Sequence, residues 1–304
     1  YGLLIPDSAS LDWLLAHWHE TTDETTRLAR LMLLHENYQA CLIPDALWLD
    51  ALMNGLRTEA NPLLFSTITS YISTPLRALP SALREGPEEG LLRLSASHPQ
   101  RSSRQRLLRM LIHSAASPAT LACLYAIWRD RSEPLLNETD YTDLAYSLAV
   151  RLPDRSDSIV RTQRTRLTDP DRIRRFDFIS RAMTPDTAAL DTLFRSLLIP
   201  ENRRIEPWTS ALLGWLNHPT RERHAVRYIR PALDALLDVQ RTGDIFFPRD
   251  WVGALLRNHR SPEAYRALLD FIDANPGYPP LLLNKVWQAA YPLYRANGEV
   301  KNEK

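Results

Sequence analysis

The sequence predicts an all-α chain built from antiparallel helical hairpins, on three observations. Helix starts recur from end to end, each a capping side chain followed by a proline: Asn61-Pro62, Ser117-Pro118, Asp169-Pro170, Thr184-Pro185 and Ser261-Pro262. Proline at the first helical position gives up no needed N–H and already holds the helical φ, while the preceding side chain accepts a free amide. Apolar residues behind these starts fall at i, i+3, i+4 and i+7: Leu190, Leu193, Phe194 and Leu197 in one stretch, Tyr265, Leu268, Leu269 and Ile272 in another. No segment shows sustained alternation at period two, so no substantial sheet is expected.

Residues 1–7 read as an extended connector from an upstream domain, since the chain opens Tyr1-Gly2-Leu3-Leu4 without a methionine. A first helix carries Leu11, Leu14, Leu15 and Trp18. A second follows Thr22-Asp23 with Leu28, Leu31, Met32 and His35, and a third begins near Pro44 with Leu47, Trp48, Ala51 and Leu52. The fourth runs from Asn61-Pro62 through Phe65, Ile68 and Ile72. The run Glu85-Gly86-Pro87-Glu88-Glu89-Gly90 reads as a turn or short exposed loop, because glycine and proline both interrupt helices.

Helices resume with Leu107, Leu108, Leu111 and Ile112, then with Leu121, Leu124 and Trp128. Between Arg151 and Thr168 apolar residues thin out, which fits either a solvated helix or a longer loop. From Asp169 hairpins continue to about Arg295, with Pro292 expected to kink or end a helix. Asn297-Gly298 offers a C-cap, and 299–304 is expected to fray. Hairpins too thin to bury their own stripes must stack. The expected architecture is therefore an α-α superhelix, a HEAT- or armadillo-like solenoid curved into a bowl. It forms one helical-repeat domain over 8–298, with no fixed sequence period.

Composition bounds function more than it assigns it. Apolar residues make up 44% and charged residues 24% of 304 residues, as in ordinary globular proteins. A net charge of +1 gives no general pull toward nucleic acid or membrane, and neither is expected as a partner. Lysine is confined to Lys285, Lys301 and Lys304, a bias toward arginine that genome base composition also produces. Cys41 and Cys123 sit in apolar stretches as buried structural thiols, with a bridge between them left open.

No complete catalytic set is present. His35-Glu36 starts a zinc-protease pattern, but Gln39 stands where the second histidine is needed. His17 and His19 are two apart and point to different sides of a helix, and His19-Glu20 is followed by Asp23 where a histidine is required. No phosphate loop, dinucleotide fingerprint or nucleophile elbow occurs. Arginines concentrate between Arg151 and Arg181, among them Arg161, Arg164, Arg172, Arg174 and Arg175. Interleaved Asp154, Asp157, Asp169, Asp171 and Asp177 make a solvated, internally paired face the plainer reading. The alternative is a partly positive wall that meets a carboxylate or another domain.

Several segments together resemble the helical C-terminal domain of the aminopeptidase N family, the gluzincin zinc aminopeptidases. They are Asp-Pro-Asp-Arg-Ile-Arg-Arg-Phe-Asp-Phe-Ile-Ser at 169–180, Glu-Asn-Arg-Arg-Ile-Glu-Pro-Trp at 201–208 and Leu-Asn-His-Pro-Thr-Arg at 216–221. Gln-Arg-Thr-Gly-Asp-Ile-Phe-Phe-Pro-Arg-Asp-Trp at 240–251 and Leu-Asn-Lys-Val-Trp-Gln-Ala-Ala-Tyr-Pro-Leu-Tyr-Arg at 283–295 continue the likeness. It is strongest over 169–295, weak over 85–165, and nearest to bacterial members of the Bacteroidetes type.

The resemblance implies a non-catalytic cap domain that encloses the active-site chamber and controls peptide access. Its partners would be the upstream catalytic domain and peptide substrates. It implies no cofactor in this chain, the zinc belonging to the upstream domain. Some relatives hold a peptide's terminal carboxylate with basic residues of this domain, a role the resemblance assigns to no individual position here. The candidate interdomain or peptide-facing residues are Arg174, Arg175, Arg203, Arg204 and Glu206. Local explanations stand beside these: Gly243-Asp244 with Pro248 makes a tight turn anchored by Phe246 and Phe247. Trp208, Trp215, Trp251 and Trp287 are expected in helix–helix cores. The second functional reading is a free-standing helical-repeat scaffold that binds proteins on its concave face.

Overall fold

The computed structural model describes residues 2–298, which are 78% helical with no strand among them. They form eighteen α-helices and an all-α, helical-repeat fold. The domain expected over 8–298 divides by its contacts into two compact units, Tyr1–Ser147 and Leu148–Lys304. The proposed tail 299–304 lies outside the described residues.

The first unit contains α1 (Ser8–His17), α2 (Glu24–Gln39), α3 (Asp45–Thr58), α4 (Pro62–Ala78), α5 (Ser81–Ser97), α6 (Arg101–Ser114) and α7 (Pro118–Asp130). The division falls within α8 (Glu138–Arg151). Neighbours in sequence pack together, α3 on α4 and α5 on α6, and each layer also meets the next but one, α4 on α6 and α5 on α7. Its core is built on Trp18, Leu31, Trp48, Leu52, Phe65, Ile72, Leu91 and Leu111, all buried.

The second unit holds α9 (Ser156–Arg166), α10 (Pro170–Ile179), α11 (Thr187–Leu197), α12 (Glu206–Leu216), α13 (Glu222–Asp234), α14 (Leu236–Thr242), α15 (Phe247–Leu256), α16 (Pro262–Asp273), α17 (Pro280–Ala289) and α18 (Tyr291–Asn297). The same layering recurs, α12 on α15, α13 on α16 and α15 on α17. Phe176, Leu193, Leu213, Ile229, Trp251, Leu268 and Val286 form its buried interior. The predicted stripe on α11 is buried whole, Leu190, Leu193, Phe194 and Leu197 all going inside, while that on α16 is buried only in part. On α16, Leu268 is buried with Ala264 and Phe271.

Four of the five predicted cap–proline starts form as expected. Asn61, Ser117, Asp169 and Ser261 each accept a first-turn amide, for example Leu63 N–H at 2.8 Å and Arg172 N–H at 2.9 Å. Thr184-Pro185 does not open a helix. Asp186 caps α11 instead, accepting from Ala188 N–H at 2.9 Å, while the Thr184 hydroxyl accepts from Asp186 N–H at 3.1 Å. An ionised carboxylate at the cap wins over a hydroxyl.

The predicted loop at 85–90 is helix. α5 runs through Gly86 and Pro87, and Glu88, expected in solvent, is buried. Its carboxylate accepts Ala116 N–H at 2.8 Å and Ser117 N–H at 2.9 Å, so a tertiary tie overrides the local breakers. The sparse stretch 151–168 contains α9, whose Ile159 and Gln163 face inward. Pro292 breaks the chain between α17 and α18 as its position predicts. Gly298 ends α18 at φ −69°, so this cap does not use the left-handed glycine conformation. Cys41 and Cys123 are free and half-buried; Cys41 lies in the turn after α2 at φ 62°, outside any helix. Of the four tryptophans expected in cores, Trp251 is fully buried, Trp208 and Trp215 are half-buried, and Trp287 is exposed.

One glycine is fixed by close approach. A Cβ on Gly55 would sit 2.0 Å from Cζ2 of Trp18, whose indole N–H donates to Ala51 O at 2.9 Å. The ring is locked by that bond and by its full burial, so it has no room to yield. Gly55→Ala should therefore lose about 2 kcal/mol by overpacking, despite alanine's better helix propensity. Urea unfolding followed by circular dichroism checks this; an unchanged or raised midpoint contradicts the packing account.

Candidate functional site

The segments 201–208 and 240–251 meet in the second unit. A 3-10 turn over Pro200–Arg203 leads into α12, whose first residue, Glu206, accepts Asp244 N–H at 2.9 Å. Asp244 in turn accepts Phe246 N–H at 2.7 Å and Phe247 N–H at 2.9 Å, which opens α15. Gly243 is required there, because a Cβ would fall 2.5 Å from the Phe247 ring and 2.9 Å from the Glu206 carboxylate.

Arg203 is not the surface residue the sequence suggested. Its side chain is 2% exposed, donates to Leu198 O at 3.0 Å and Thr242 Oγ1 at 3.2 Å, and pairs with Asp238. A guanidinium desolvated to this degree needs such a partner set, and it fastens the turn before α12 to α14. Glu206 is likewise spent on the Asp244 amide. Arg204 is exposed and lines a cavity of about 260 Å³ with Glu201, Arg203, Glu206, Thr242 and Phe247. Ile245, at 81% exposure, and Phe246 stand in the adjoining turn, so Phe246 is not the apolar anchor expected; Phe247 is.

Arg174 and Arg175 lie elsewhere on this unit, on α10. Arg174 is exposed and pairs with Asp171, while Arg175 is half-buried. α10 reaches α12 through Phe178 against Trp208, ring centres 5.8 Å apart, yet neither arginine lines the Arg204 cavity.

Sequence reasoning missed two polar clusters whose members are far apart in the chain. Asp191 Oδ1 accepts from Tyr228 Oη at 2.7 Å and from His224 Nε2 at 2.7 Å, with Arg227 at 3.3 Å from Oδ2. Partial burial works to raise the Asp191 carboxyl, but the hydrogen bonds from Tyr228 and His224 outweigh it and hold the group below the usual carboxylate range. With its oxygens taken, the cluster joins α11 to α13 and presents no free base. In the second cluster His259, fully buried, donates from Nε2 to Asn217 Oδ1 at 2.9 Å, with Glu222 Oε1 3.8 Å from Nδ1. Glu222 itself accepts Arg260 N–H at 2.5 Å and Ser261 N–H at 2.6 Å.

Among the described residues no group of three or more His, Cys, Asp or Glu side chains is placed to hold a metal ion. No single helix among them is long and apolar enough to cross a membrane. No family model matches the chain, and no curated protein matches it.

Burial pushes the His259 imidazole down to about 4 from 6.5, with Glu222 opposing the shift. The folded chain thus keeps His259 neutral where the unfolded chain takes up a proton. Its contribution is complete above pH 6.5 and is lost as pH falls from 6.5 toward about 4. Thermal unfolding should show this acid loss of stability in wild type and a flatter profile in His259→Gln, which keeps a donor for Asn217. Parallel profiles for the two proteins would contradict the assignment.

Proposed function

We propose that this chain is the non-catalytic cap domain of a zinc aminopeptidase of the aminopeptidase N family, controlling which peptides reach a chamber in an upstream catalytic domain. The observation that carries the reading is the junction of two resembling segments. Arg203 and Glu206 of 201–208 bond to Asp238, Thr242 and Asp244, within and beside 240–251. Residues within the two resembling segments are here among the ones that set one another's positions, and they leave Arg204 exposed beside a cavity. The all-α helical repeat agrees with a cap, since layered helices give a broad surface without a catalytic centre of their own.

Arg204 and Arg174 are the exposed candidates for reversible, polar contact with a peptide or the catalytic domain, whereas Arg203 and Glu206 act by holding the turn. In the polypeptide that includes the upstream domain, Arg204→Glu with Arg174→Glu should slow turnover of long peptides about tenfold, the effect of losing roughly 1.4 kcal/mol of contact. Hydrolysis of a single aminoacyl substrate should stay unchanged. Equal losses on both substrates, or none on either, would count against the gating role. An upstream region without a zinc-protease helix would favour the scaffold reading.

A further inference from the structure

The arginine-rich stretch that ends at Arg181 holds a cavity the cap-domain reading does not use. Its volume is about 320 Å³, and its wall includes Ser156, Asp157, Arg161, Ser180, Arg181 and Thr184. The acids of the stretch are largely spent elsewhere: Asp177 binds Arg164 at 2.5 Å, and Asp171 pairs with Arg174. Arg161 and Arg181 are exposed and have no acidic partner among the described residues.

The wall behind them is itself positive and rigid. Arg221 donates to Ala182 O at 2.5 Å and Thr184 O at 2.8 Å, a half-buried guanidinium held by carbonyls with no carboxylate among those partners. Burial pushes it down to about 10, which still leaves it charged at neutral pH. Ser156, at the start of α9, donates to Met183 O at 2.6 Å and pins the segment from the other side. Thr184 Oγ1 accepts from Asp186 N–H, so its own proton is free to donate, and the Ser180 hydroxyl has no partner among the described residues. The cavity wall thus carries two exposed guanidinium groups, Arg161 and Arg181, against one carboxylate, Asp157, beside two hydroxyl donors, with the Arg221 charge held on the backbone of Ala182 and Thr184.

We propose that this cavity binds a phosphate-bearing small molecule, its phosphate held by Arg161 and Arg181 with the hydroxyls of Ser180 and Thr184. A phosphate monoester carries close to two negative charges and three acceptor oxygens, which suits two planar forks and two hydroxyls better than the two oxygens of a carboxylate do. This site is independent of the cap-domain reading, and its test uses this chain alone.

Titration calorimetry with inorganic phosphate at fixed ionic strength should show saturable binding of one phosphate per chain. Acetate at the same ionic strength should bind at least about tenfold more weakly. Arg161→Gln and Arg181→Gln should each weaken phosphate binding about tenfold, the loss of one charge-assisted bond. Their thermal unfolding without phosphate should match wild type, because both side chains are exposed. Arg266→Gln, on α16, should bind as wild type does. Absence of saturable binding, acetate as strong as phosphate, or unimpaired binding by both Gln variants would overturn the proposal.

Discussion

Carboxylates that reach across to the amides of a neighbouring turn are the constraint on which this fold depends. Every helix start leaves N–H groups without partners inside the helix. The cap–proline pairs deal with the first turn, but the amide of the capping residue itself, and often the one before it, remain. Glu88 takes Ala116 and Ser117 ahead of α7; Glu222 takes Arg260 and Ser261 ahead of α16. Glu59 accepts Asn61 N–H at 2.8 Å ahead of α4 while also binding Arg27, and Glu206 takes Asp244 ahead of α15. An ionised acceptor bonded to backbone N–H is worth about 1.5–3 kcal/mol, and the positive end of the helix dipole adds to it. Without it, a turn ending in a buried cap would carry orphan donors into the interior.

Most of these ties reach between 28 and 39 residues along the chain. Glu222 to Ser261 spans 39 residues, Glu206 to Asp244 spans 38, and Arg27 to Glu59 spans 32. Indole donors do the same: Trp18 binds Ala51 O, 33 residues on. Each bond links an element to the neighbouring layer, the behaviour of a helical repeat in which a layer is stabilised mainly by its neighbours. Carboxylates, an indole and arginines perform the same task at successive layers, which is why the repeat exists in space and leaves no period in the sequence.

This explains what the sequence discloses and what it withholds. Helix starts at Asn61, Ser117, Asp169 and Ser261, the stripe on α11 and the break at Pro292 are set by neighbours along the chain, so local pattern is enough. Glu88 and Arg203 look like surface charges because the amides that hold the one and the polar side chains that hold the other lie 28 to 39 residues away. Glycine and proline at 86–87 signal a turn, yet a buried carboxylate one residue on keeps the helix intact. At the candidate site, Arg203, Arg204 and Glu206 do lie together, but burial divides their roles: two fasten turns and one remains free for a partner. His224 with Asp191, and His259 with Asn217, carried no local signal, since each pair joins separate helices or turns.

A fold held this way is fixed where acid meets turn, and it leaves arginines such as Arg161, Arg181 and Arg204 exposed at the surface. Native-state hydrogen exchange of Glu222→Gln and Glu222→Ala against wild type tests the central claim most directly. Loss of the carboxylate should speed exchange at the Arg260 and Ser261 amides and at the first turn of α16. The alanine variant should also lose about 2–4 kcal/mol of stability by leaving both donors without an acceptor, and glutamine should restore part of the loss. Unchanged exchange at these amides in the alanine variant would contradict the account.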